Sequence, residues 1–107
     1  MEKTMKEIMI DIIENFNKSN VIDDNAANEV KKLININTNY MIKSFQKAYE
    51  IMPIALDDFE VEKYYIDLCN DVLCAIETNA NKKCYPVLFV NICEYCAISN
   101  ILVELRT

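Results

Sequence analysis

Between residues 4 and 17 the apolar side chains Met5, Ile8, Met9, Ile12, Ile13 and Phe16 recur in steps of mostly three and four. Lys6, Glu7, Asp11 and Glu14 fall between them. That is the period of a helix with one buried face, and it predicts a helix over 4–17. Asn17-Lys18-Ser19-Asn20 then reads as a turn. Asp23 or Asp24 supplies the N-cap of a second helix carrying Ala27, Val30, Leu33 and Ile34 on one side. The polar run NINTN at 35–39 is poor helix material, yet Met41, Phe45, Ala48 and Met52 continue the spacing up to Pro53. Two helices with a kink or short break between them are expected here rather than one rod. Pro53 marks the boundary, because the residue before a proline is pushed out of helical geometry.

After LDD a further helix begins. Asp57 with Glu60 has the spacing of a capping box, with Asp in place of the usual Ser or Thr. Val61, Tyr65, Leu68, Val72 and Ile76 line one face, and the run ends in TNANKK, where Asn79 or Asn81 can cap and Lys82 and Lys83 suit the helix dipole. Pro86 belongs in the first turn of a last helix over 86–105. VLFVNI has strand propensity, but a lone strand finds no partner in this chain. The expected fold is all-α: a single domain over 1–107, built as a bundle of four to five helices with a mostly buried C-terminal helix. Residues 84–105 have transmembrane length. Asn91, Glu94, Asn100 and Glu104 interrupt them, however, and a mid-span carboxylate is costly in lipid. A central helix of the bundle is the expectation, with no membrane.

Composition narrows the chemistry. The chain has no glycine, which argues against hairpin-rich β folds and removes both Gly-rich phosphate-binding signatures. It has no histidine, so Ser-His and Cys-His catalysis are excluded. Its 52% apolar and 26% charged residues are those of a globular protein. The N-terminal MEKTMKEIMIDIIENF is amphipathic and acidic rather than a bare apolar leader, and the five cysteines are odd in number. Free thiols in a reduced, cytoplasmic setting follow.

Cys69, Cys74, Cys84, Cys93 and Cys96 all lie in the C-terminal half. A zinc site without histidine needs four thiolates or carboxylates, and a ligating C-x-x-C sits in a turn. Here Cys93 and Cys96 fall inside a helical run, and Cys69 and Cys74 are about 140° apart around theirs. A redox pair wants its first thiol at an exposed helix N-terminus, whereas Cys93 is about two turns past Pro86 among aliphatic residues. The cysteines therefore read as small apolar core residues, with no metal and no cofactor.

Charge is the remaining signal. The net charge is −6; residues 1–56 contribute −1 and residues 57–107 contribute −5. Between Asp57 and Glu77 seven acids face one cation, Lys63. Glu60, Asp67 and Asp71 fall on one side of the helix, Tyr64 shares that stripe, and Asp57, Asp58 and Glu62 add charge near its start. Such a stripe is either a solvated face or a docking surface, in which carboxylates steer a cationic partner and the ring anchors it. The imbalance of sign favours docking. Nucleic acid is disfavoured, since no basic patch exists to neutralise phosphates.

In size, charge and class the chain is similar to small acidic helical immunity proteins that neutralise nuclease toxins, a likeness that no motif carries. It implies a bacterial, cytoplasmic, non-enzymatic inhibitor that covers the basic active site of a toxin or nuclease domain. A phage-encoded inhibitor of a host enzyme is a variant of the same expectation. The alternative of a different class is a structural or adaptor bundle, a homodimer pairing through 84–105 or the Met/Phe face of 41–52. A small metal-binding regulator stands third.

Overall fold

Thr4 opens the first helix, its hydroxyl accepting a hydrogen bond from the Glu7 amide at 3.2 Å. In the computed structural model, which describes residues 4–37, 39, 43, 46, 50 and 58–106, α1 runs over Met5–Lys18. It stops at Asn20, whose φ of 60° reverses the chain, and the Val21 amide closes the end by donating to the Phe16 carbonyl at 2.9 Å. Asp23, not Asp24, caps α2, accepting from the Ala26 amide at 2.8 Å, and α2 spans Asp24–Ile36. The Asn37 side chain then donates to the Leu33 carbonyl at 3.1 Å and ends it. Met41, Phe45, Ala48 and Met52, which carry the spacing read up to Pro53, lie outside the described residues, as do Pro53 and Asp57.

α3 occupies Asp58–Asn81 and α4 Tyr85–Leu105, with Pro86 in the first turn as expected. The three-residue link between them forces an antiparallel pair. Here one expectation is corrected. The left-handed residue of the link is Lys83, with φ 56°, whereas Asn79 remains helical and its side-chain Nδ2 donates to the Ala75 carbonyl at 2.9 Å. A chain without glycine has to place ordinary residues in this region, at about 1–2 kcal/mol each.

Among the described residues there are four helices and no strand. The Cα radius of gyration of 13.8 Å is close to the ~13 Å expected of a compact chain this long. α4 packs against each of the other three helices, and α1 also packs on α2, with Lys31 and Glu14 in a 3.6 Å ion pair between them. Met9 and Ile13 from α1, Val30 and Ile34 from α2, and Tyr65 and Ile76 from α3 converge on Leu88, Ile92, Cys96 and Ile101 of α4 in one contiguous core. α4 has no polar face of the usual kind: buried side chains occur all round it. By length and composition it is apolar enough to cross a bilayer, with a mean hydropathy of 1.6 over its most apolar window, and 44% of that window is buried inside the protein.

Candidate functional site

α3 turns Val61, Tyr65 and Ile76 fully inward and half-buries Leu68, Cys69 and Val72 beside them. By the helical period the opposite side must carry Glu60, Lys63, Tyr64, Asp67, Asn70 and Asp71, and all six are exposed. Glu60, Tyr64, Asp67 and Asp71 follow in steps of four, three and four, so they form one stripe about 16 Å in length. Asp67 and Asp71 have no ion-pair partner among the described residues. Asp67 and Asp71 therefore present uncompensated negative charge on the outer side of the helix.

Tyr64 is held from beneath. Its ring meets Tyr65 edge to face, with centroids 5.3 Å apart and planes at 75°, and it remains 40% exposed. Burial pushes the Tyr65 phenol up from its ordinary value, and the neighbouring Tyr64 adds to the effect, so Tyr65 stays neutral and acts as an apolar wedge. A ring already fixed in place loses little entropy when a partner covers it.

Of the residues read as adding charge near the start of the helix, Glu62 lies off the stripe. It sits about 160–200° round the helix from Glu60 and Tyr64, where its carboxylate accepts from Arg106 Nε at 2.8 Å, joining the start of α3 to the end of α4. Asp58 begins α3, but its side chain and the whole of Asp57 lie outside the described residues.

The reading of the cysteines as interior residues holds for two of them. Cys93 and Cys96 are fully buried, and Cys93 Sγ lies 4.0 Å from Met9 Sδ. Burial, with a smaller contribution from Glu94, pushes the Cys93 thiol up to about 12; burial raises Cys96 as well. Both are inert thiols in a dry core. Cys74 and Cys84 are exposed, against expectation, because Cys74 falls on the outer side of α3 and Cys84 precedes α4 in the link. Cys69 is half-buried against the core, where burial pushes its thiol up and Ser99 offsets part of the rise. Among the described residues no three Cys, Asp or Glu side chains converge as metal ligands.

Two features escaped the sequence reading. Phe59 is 76% exposed, and Ile66, 36% exposed, lies on the same side of α3. The signal was present: neither position falls on the Val61–Tyr65–Leu68 face. A cleft of about 200 Å³ also opens between the α1–α2 turn and the end of α3, lined by Val21, Asp23, Ala80 and Asn81. It is below the ~300–1,000 Å³ of small-molecule sites, and its one carboxylate is engaged in capping α2. Compared with protein-family models, curated proteins and solved structures, the chain matches none of them.

Proposed function

We propose that this chain is a non-catalytic, protein-binding inhibitor of the immunity or antitoxin type. It neutralises a cationic toxin, such as a nuclease domain, by laying the acidic stripe of α3 over the toxin's active site. The single observation that supports this most is the stripe itself: Glu60, Tyr64, Asp67 and Asp71 aligned on one exposed helix face, with the ring of Tyr64 braced on Tyr65. A basic cleft built to hold phosphates would accept these carboxylates in their stead, and the charge would steer the encounter. Asp57 and Asp58 extend the negative charge toward the start of the helix. The reading takes residues 1–107 as one cytoplasmic domain without cofactor, nucleic acid or membrane. It also takes α4 as a mostly buried central helix, which is supported by its contacts with the other three.

The test is titration of the chain against basic nuclease toxin domains, at low and high salt. Asp67→Lys with Asp71→Lys is expected to weaken binding at least about tenfold and to flatten its salt dependence, with helical circular dichroism retained. Unchanged affinity and unchanged salt slope would overturn the proposal. A second reading, a bundle acting through oligomerisation, is favoured by the exposure of Phe59 and Ile66.

A further inference from the structure

A second exposed band runs down α3, about 100° round the helix from the acidic stripe. Phe59, Lys63, Ile66, Asn70, Leu73 and Glu77 succeed one another in alternating steps of four and three residues, the spacing of a helix–helix seam. Phe59, Lys63, Ile66, Asn70 and Glu77 are exposed and Leu73 is half-buried. Neither Lys63 nor Glu77 has an ion-pair partner among the described residues.

The band is complementary to itself when reversed. Lys63 and Glu77 stand seven residues on either side of Asn70, about 10 Å along the axis in each direction. We propose that this band is a self-association surface, on which a second copy of the chain packs antiparallel about a two-fold axis at Asn70. This deepens the second reading above and does not depend on the acidic stripe. The axis brings Lys63 level with the partner's Glu77 and Ile66 beside the partner's Leu73, each contact occurring twice as two-fold symmetry requires. Asn70 meets the partner's Asn70, and an amide pairs with its own copy through one donor and one acceptor each. Phe59 closes each end of the seam. A parallel arrangement would instead put Lys63 beside the partner's Lys63 and Glu77 beside the partner's Glu77, so the order of charges selects both the direction and the occupant. Glu60, Tyr64 and Asp71 remain off the seam, and a dimer carries two acidic stripes.

Sedimentation equilibrium of the full chain over a wide concentration range, under reducing conditions that keep Cys74 and Cys84 from cross-linking, tests this. A reversible dimer is expected. Ile66→Glu should leave a monomer with unchanged helical circular dichroism. Lys63→Glu and Glu77→Lys should each weaken the dimer roughly tenfold, and the two combined should restore it, because each pair is rebuilt with the signs exchanged. A chain that stays monomeric at every concentration overturns the proposal, as does a dimer unaffected by Ile66→Glu. A double variant no better than the single ones overturns it too.

Discussion

α3 and α4 are antiparallel neighbours of similar length, 24 and 21 residues, yet the chain uses them in opposite ways. α4 buries nine side chains distributed round its whole circumference and touches every other helix. α3 buries one face and turns five acids, Glu60, Glu62, Asp67, Asp71 and Glu77, and a single lysine outward or to its edges. The difference teaches where selection for packing ends and room for recognition begins. A residue on α4 answers to several neighbours at once, whereas an outward residue on α3 answers only to solvent or to a partner.

The largest expected effect comes from breaking that contrast at the centre of α4. Ile92 is fully buried, and Ile92→Ala removes methyl groups that the surrounding helices cannot wholly replace. It should cost about 2–5 kcal/mol, or at least about 8 °C in melting temperature for a chain of this size. Asp67→Ala on the outer side of α3 should stay within about 0.5 kcal/mol. Thermal denaturation of the two variants side by side decides the matter, and comparable losses would abolish the distinction between the helices.

Much of this division was legible in the residues, because it rests on local period. Met9 and Ile13, Ala27, Val30 and Ile34, and Val61, Tyr65 and Ile76 each recur at helical steps and each prove buried. Asp23 as a cap and Pro86 as a first-turn residue follow equally from local chemistry. What could not be read depends on distant partners. Glu62 and Arg106 are 44 residues apart, so their pairing requires the α3–α4 hairpin to exist first. The left-handed Lys83 defeats residue preference: asparagine was the natural candidate, but the position is fixed by the geometry of the link rather than by what stands there. Cys74 is a different kind of miss. Its angle on α3 already put it outside, and grouping it with the buried thiols ignored that period. The alignment of Glu60, Tyr64, Asp67 and Asp71 was likewise available from spacing alone, whereas the brace under Tyr64 needed the ring geometry.

The cysteines sharpen the same comparison by a smaller effect. Cys93 on α4 has its thiol pushed up to about 12 from an ordinary 9.0, so the folded chain keeps a proton that the unfolded chain gives up sooner. Its contribution to stability is whole below pH 9 and is lost as the pH climbs from there through about 12. The chain should therefore destabilise over that interval, and Cys93→Ala should make the decline shallower even if the variant is less stable at neutral pH. A thiol reagent offers a second reading of the contrast: Cys74 and Cys84 should react at once at neutral pH, and Cys93 and Cys96 only on unfolding.

The smallest effect lies where the two helices are tied together. Arg106 Nε reaches Glu62 Oε1 at 2.8 Å, with the two side chains 59% and 38% exposed, so water and salt screen the pair. Glu62→Gln should cost about 0.2–1 kcal/mol at low ionic strength and almost nothing in concentrated salt. Binding of a basic partner should be nearly indifferent to the same change, since Glu62 faces away from the stripe that Asp67 and Asp71 occupy. Titration of Glu62→Gln beside Asp67→Lys separates the two roles of charge on α3. A strong loss of affinity from Glu62→Gln would extend the docking surface round to the α4 side. Its absence would leave Glu62 as a residue that fastens the hairpin, with recognition confined to the outer face.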